Sequence, residues 1–173
     1  YQDAVIEELN TITSIPSSLL TTGGLKIYTT LDLKAQNAIE NSIDKVITTD
    51  IQVASVIMDP NTGGILGLVG GIDYSKSQYN RALSSNRSVG STIKPFLYYA
   101  ALENNFTAST TFTSEKTTFV FSEDETYSPN NYGGLYPNKE ISLASAIATS
   151  DNIYAVKTHL FLGTDLLVDT MKR

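Results

Sequence analysis

The chain has 173 residues, 41% hydrophobic and 17% charged, a globular profile long enough to bury a core, which excludes an intrinsically disordered chain. Its net charge of −6 argues against a nucleic-acid partner, because nothing supplies a basic patch for phosphates. The lack of cysteine removes disulfides, thiolate metal sites and thiol catalysis together. No apolar run is long enough to span a bilayer, and no signal peptide opens the sequence; the start at Tyr1-Gln2-Asp3 reads as a boundary cut within a longer protein.

Residues 3–14 carry Ala4, Val5, Leu9 and Ile12 at helical spacing. Pro16 and the Ser/Thr/Gly run through Gly24 read as a linker. Leu25 to Leu31, β-branched and aromatic with alternating faces, predicts a strand. Asp32 is an N-cap candidate, and Ala35, Ala38, Ile39, Ile43, Val46 and Ile47 predict a helix to about residue 49. Residues 51–59 and 65–70 predict two strands around a Pro60–Gly64 turn. The polar stretch 71–90 reads as a long loop. A helix is expected from Ser91 to about Glu103, with Phe96, Leu97, Ala100 and Ala101 facing inward. A short strand is expected at 116–121, a loop at 122–139, and helices at about 141–149, 153–162 and 165–172. Helices mixed with a hairpin of apolar strands point to an α/β (α+β) layered fold with an antiparallel sheet.

The chemistry centres on Ser91-Thr92-Ile93-Lys94, an S-x-x-K tetrad. Positions i and i+3 share a helix face, so the lysine amine can reach the serine hydroxyl. A desolvated amine loses its proton more readily and can act as a base. Gly90 permits a tight entry into the helix, whose first turn has free N–H groups, and Pro95 fits near that turn. Ser42-Ile43-Asp44-Lys45 matches the same pattern but sits mid-helix, where it reads as an accident of a polar face. S-x-N occurs at Ser84-Ser85-Asn86, Ser128-Pro129-Asn130 and Ser150-Asp151-Asn152. Only the last lies between two apolar helical runs, in a tight loop suited to mounting a hydroxyl and an amide. The single histidine, His159, reads as an ordinary helix residue.

Gly-Ser-Thr-Ile-Lys-Pro-Phe (90–96) followed by Ser-Asp-Asn (150–152) resembles the penicillin-recognising serine enzymes. Gly24 to Asp32 with Gln36 and Glu40, Asn80-Arg81-Ala82 with Arg87, and Asn131-Tyr132 are similar to the transpeptidase region of class A (bifunctional) penicillin-binding proteins. Tyr1 to Leu9 is similar to the segment joining the glycosyltransferase domain of that family to its transpeptidase. The resemblance implies a β-lactamase/transpeptidase-like fold, incomplete in this chain. Residues 1–31 would be the interdomain linker region, helix plus strand, and 32–173 the N-terminal part of the transpeptidase domain.

It further implies that Ser91 is the acylated nucleophile, Lys94 its base, Ser150 a proton relay and Asn152 a ligand of the substrate amide. The reaction would be D,D-transpeptidation of a peptidoglycan stem peptide ending in D-Ala-D-Ala, with β-lactams as covalent mimics and no cofactor or metal. A serine β-lactamase or D,D-carboxypeptidase is the alternative within the class, and a non-catalytic binding or scaffold fragment the alternative outside it. The implied location is the outer face of the bacterial cytoplasmic membrane, anchored through a segment absent from this chain. The family's third motif, K-[ST]-G, does not occur; Lys116-Thr117-Thr118 lacks the glycine. The chain alone is therefore expected to be inactive. The end at Arg173, after Met171 and Lys172, is expected to be a proteolytic nick, with a C-terminal polypeptide carrying K-[ST]-G.

Overall fold

The computed structural model describes all 173 residues, which form two compact units, Tyr1–Arg87 and Ser88–Arg173. No helix is long and apolar enough to cross a membrane.

The first unit contains α1 (Gln2–Thr11), α2 (Ser17–Thr22), α3 (Leu33–Val46), β1 (Ser55–Met58), β2 (Ile65–Val69) and α4 (Arg81–Ser84). Asp32 caps α3 as expected, its carboxylate accepting from the Lys34 and Ala35 amides at 2.7 and 3.1 Å. Ile39 and Ile43 are the buried stripe of that helix. β1 and β2 form the expected antiparallel hairpin, with a bulge at Ile57/Met58. Its turn is closed by the Asp59 carboxylate, which accepts from the Asn61 amide and the Thr62 hydroxyl, while Gly63 takes the positive φ of 73°.

Helix α3 lies close against β2. A Cβ on Gly67 would meet Ile39 Cδ1 at 3.0 Å and the Gln36 backbone at 3.3 Å, so glycine is what the approach allows. Gln36 joins the two elements: its carboxamide accepts from the Leu68 N–H at 2.8 Å and donates to the Leu68 carbonyl at 3.1 Å. The Asp32 amide, the Thr30 hydroxyl and the Tyr1 phenol donate to the Leu66 and Ile65 carbonyls. Side chains and loop thus satisfy the edge of β2 that β1 leaves open.

Three expectations for this unit fail. Residues 25–31 form no strand, because side chains and single backbone groups take the carbonyls of β2 and no ladder remains for them. The stretch read as a linker contains α2, whose Thr21 and Thr22 hydroxyls fold back onto the Ser18 carbonyl. The loop at 71–90 contains α4, capped by Asn80 Oδ1 on the Ala82 amide.

The second unit contains a 3₁₀ turn at Gly90–Ile93, then α5 (Lys94–Glu103), β3 (Thr111–Ser114), β4 (Phe119–Val120), β5 (Thr126–Tyr127), a 3₁₀ turn at Tyr132–Gly134, β6 (Lys139–Ser142), α6 (Leu143–Thr149), α7 (Asn152–Leu162) and α8 (Thr164–Lys172). β3 pairs antiparallel with β6, and β4 with β5. The fold is therefore mixed α/β with small two-stranded antiparallel sheets and packed helices. The strand expected at 116–121 shrinks to Phe119–Val120, and β3, β5 and β6 occupy segments not read as strands. These strands are polar, rich in Thr, Ser, Lys and Glu, and pairing rather than apolar alternation defines them.

The core gathers Leu97 and Tyr98 of α5, Ile141 of β6, Leu143 and Ala146 of α6, and Tyr154 and Ala155 of α7. Phe112 of β3 packs edge-on against Tyr154, ring centroids 5.2 Å apart, and the Tyr154 hydroxyl donates to the Thr110 carbonyl at 2.7 Å. Lys157 donates to the Thr113 carbonyl at 2.8 Å, fixing α7 along β3. Leu97, Ala100 and Ala101 face inward as expected, but Phe96 is 48% exposed and Tyr98 holds the inner position instead.

Leu143 is 1% exposed at the centre of this cluster. Leu143→Ala is expected to cost about 2–5 kcal/mol in urea unfolding. Leu135→Ala, at an exposed site, is expected to change stability by less than about 0.5 kcal/mol.

Candidate active site

The tetrad begins in the 3₁₀ turn. Gly90 enters it at φ +53°, and Thr92 donates from both amide and hydroxyl to the Val89 carbonyl. A 3₁₀ turn repeats every three residues, so Ser91 and Lys94 are eclipsed along one side. Pro95 then opens α5, where its missing N–H costs least. Ser91 is exposed, whereas Lys94 is only 8% exposed.

The Lys94 amine makes three hydrogen bonds. It donates to the Ser150 carbonyl at 2.6 Å, to Ser150 Oγ at 3.0 Å and to Asn152 Oδ1 at 2.6 Å. These are all the donors an ammonium has. The hydrogen bond to Ser91 that the spacing suggested is not formed; Ser150 and Asn152 take the amine instead. Burial pushes the Lys94 amine below the ordinary lysine range, and the negative charge of Asp151 pulls the other way. The structure thus brings Lys94, Ser150 and Asn152 into one cluster, with Ser91 one 3₁₀ turn before the lysine.

Ser150 ends α6 in the left-handed conformation, φ 52° and ψ 44°, at a cost on the order of 1–2 kcal/mol for a residue with a Cβ. Asp151 then starts α7, capping it through Oδ1 on the Tyr154 amide at 2.7 Å. The other carboxylate oxygen of Asp151 accepts from the Ser114 hydroxyl at 2.5 Å and from Asn131 Nδ2 at 2.7 Å. Asn131 Oδ1 in turn accepts from the Asn152 amide at 2.8 Å. The Asn152 side chain donates to the Asn130 carbonyl at 2.6 Å, which leaves one N–H of its amide for other use.

The second S-x-x-K match behaves as its position implied: the Ser42 hydroxyl donates to the Ala38 carbonyl one turn back in α3. The Ser128 hydroxyl donates to or accepts from the Thr118 hydroxyl at 2.8 Å. His159 lies on α7 with Nδ1 buried and unpaired. Reading the sequence missed Ser114 altogether and gave Asp151 no role. Nothing in a Thr/Ser-rich segment singles out one hydroxyl, but Asp in an inter-helix loop is an N-cap signal that could have found Asp151.

Residues 53–173 match the family described as penicillin binding protein transpeptidase domain. The chain belongs to this family. It is similar to penicillin-binding protein 2D of Bacillus subtilis, 47% identical over 99% of this chain and 25% of the relative. It is also similar to penicillin-binding protein 1B of Haemophilus influenzae, 33% identical over 90% of this chain and 21% of the relative. The chain thus spans about a quarter of the length of these penicillin-binding proteins. In fold it matches the PonA1 protein of Mycobacterium tuberculosis in complex with penicillin V, with a TM-score of 0.75 at 24% identity, covering 95% of this chain and 43% of that one. The resemblance carried by residues 90–96 and 150–152 is therefore one of membership in the penicillin-binding proteins, and the mixed α/β fold is theirs.

The depressed Lys94 pKa sets a pH dependence. Between that pKa and the ordinary lysine value of 10.5, the folded state has released a proton that the unfolded chain still holds. Stability from this group therefore rises as pH rises through the window. Subtracting the unfolding free energy of Lys94→Met from that of the native protein should give a difference that shifts in favour of the native protein between neutral pH and 10.5. A difference that is flat or moves the other way contradicts the burial account.

Proposed function

We propose that this chain is the N-terminal part of the transpeptidase domain of a class A penicillin-binding protein and supplies the acylating half of a peptidoglycan D,D-transpeptidase site. In this reading residues 1–31 belong to the connection from a glycosyltransferase domain, and 32–173 to the transpeptidase. The single observation that carries it is the buried Lys94 amine held by Ser150 and Asn152, one 3₁₀ turn beyond the exposed Ser91.

Chemically, Ser91 Oγ attacks the carbonyl carbon between the two terminal D-alanines of a stem peptide, giving its proton to the Lys94 amine. A neutral Lys94 keeps two N–H groups for the Ser150 carbonyl and Asn152 Oδ1, neither of which can donate. Its lone pair is then available to a hydroxyl, and the Ser150 hydroxyl links the amine to the departing nitrogen. The C–N bond breaks, D-alanine leaves with the relayed proton, and an ester remains on Ser91. The amine of a neighbouring stem attacks that ester, the C–O bond to Ser91 breaks, and the amine's proton returns to Ser91 Oγ, which frees the serine and completes the cross-link. The free N–H of Asn152 orients the donor carbonyl. A β-lactam follows the same first step, its amide opening onto Ser91, and the ester persists.

No cofactor or metal enters this scheme. A K-[ST]-G strand from residues outside these 173 completes the pocket, so this chain alone is inactive, and that strand reaches it either within one polypeptide or as a separate C-terminal piece. The site works at the outer face of the cytoplasmic membrane, where the substrate is. The fit of Lys94 and Ser150 to acyl transfer speaks against a purely non-catalytic scaffold. Slow loss of the penicilloyl ester would separate a transpeptidase from a β-lactamase.

The test is covalent labelling of the full-length protein with a fluorescent penicillin. Ser91→Ala is expected to abolish the label, at least a hundredfold, and Ser42→Ala to leave it intact. A label that survives Ser91→Ala overturns the assignment.

A further inference from the structure

Three side chains next to the proposed site are buried beyond what a surface loop requires. Ser114 is 0% exposed, Asp151 3% and Asn131 8%. They come from three separate elements: the last residue of β3, the entry to the second 3₁₀ turn, and the N-cap of α7. They meet at one atom, Asp151 Oδ2, which accepts from both Ser114 and Asn131. A buried carboxylate needs such donors to replace the hydration it has lost. The group also borders the residues of the proposed site. Asp151 lies between Ser150 and Asn152, and Asn131 holds the Asn152 backbone amide. The residue beside it, Asn130, holds the Asn152 side chain. Ser114 is fixed in turn by β6, since its carbonyl accepts from the Asn138 amide at 2.8 Å and its register partner is Lys139.

We propose that Ser114, Asn131 and Asp151 form a buried positioning unit that fixes the Ser150–Asn152 loop against Lys94 and supplies the negative charge next to that amine's partners. None of the three touches the reacting atoms; they act through Ser150, Asn152 and Lys94. The inference rests on the acyl-transfer reading above and extends it to the variable middle position of the S-x-N triplet and to two residues, Ser114 and Asn131, outside both patterns.

The unit has a chemical consequence as well as a geometric one. Lys157 of α7 holds the Thr113 carbonyl and Lys139 of β6 pairs with Ser114 in register, while Tyr98 of α5 and Tyr154 of α7 are the buried phenols beside the group. Burial raises both phenols, Tyr154 to about 12, so both are neutral at working pH. Asp151 is thus the charge that favours the protonated form of Lys94, against the burial that disfavours it. Removing that charge without changing shape makes the free amine available at lower pH.

The experiment measures the rate of Ser91 acylation by penicillin across pH, in the full-length protein, with circular dichroism melting as a folding check. Asp151→Asn is expected to move the acid limb of the profile to lower pH by about half a unit to one unit, while lowering the maximal rate about tenfold. A merely structural residue would change the rate and leave the limb where it was. Ser114→Ala removes one hydroxyl and one donor. It is expected to lower the first-order acylation step about threefold to tenfold, with the non-covalent binding constant unchanged. If Asp151→Asn does not fold, Ser114→Ala decides: a native first-order step overturns the proposal. A folded Asp151→Asn with an unmoved acid limb overturns it too. Both outcomes are distinct from failure of the acyl-transfer reading, which is signalled by labelling that persists in Ser91→Ala.

Discussion

A carboxylate removed from water must be met by donors, and the second unit is organised around meeting those needs at Asp151. Its two oxygens draw in the Tyr154 amide, the Ser114 hydroxyl and the Asn131 carboxamide. Each donor belongs to a different element, so satisfying one charge fixes the start of α7, the end of β3 and the 3₁₀ turn before β6 relative to one another. Removing the Tyr154 amide's bond would leave Oδ1 without this donor, whereas Oδ2 keeps one donor when either Ser114 or Asn131 is lost and is then under-satisfied rather than unpaired. The apolar cluster of Leu143, Ala146, Tyr154 and Leu97 then packs on a frame already set. Chemistry and folding share this frame, because the residues on either side of Asp151 hold the Lys94 amine.

In the first unit a neutral side chain does comparable work. Gln36 replaces a strand, making with Leu68 the pair of backbone bonds that a neighbouring strand would make. Helix α3 can take that position because Gly67 removes the side chain that would stand between them. Both residues are small in the energetic sense, yet they determine how a helix can lie on a two-stranded hairpin.

Much of this was legible in the residues, for identifiable reasons. Asp32 before an amphipathic run, the apolar hairpin around Pro60–Gly64, and the apolar helices after Ser142 are local signals that packing did not override. The lysine of the tetrad and the S-x-N loop were legible because spacing and helix boundaries put them on short, rigid elements. Other features depend on distant partners. Residues 25–31 have every mark of a strand, but the carbonyls they might have paired with are taken singly by Thr30, Asp32 and Tyr1. β3 and β6 look like polar loops until they meet each other. Ser114 is one hydroxyl among many, and only the buried carboxylate it reaches distinguishes it. Lys94 turned toward Ser150 and Asn152, not Ser91, since the loop offers two carbonyl-type acceptors that an exposed hydroxyl cannot match.

The left-handed backbone at Ser150 narrows what heredity can try there. Threonine carries the same hydroxyl and would be the obvious substitute, but its branched Cβ is strongly disfavoured at positive φ. Glycine and asparagine accept the backbone and lack the hydroxyl. Backbone geometry excludes threonine, and a requirement for the hydroxyl would exclude glycine and asparagine, so only the two constraints together leave serine alone at this position.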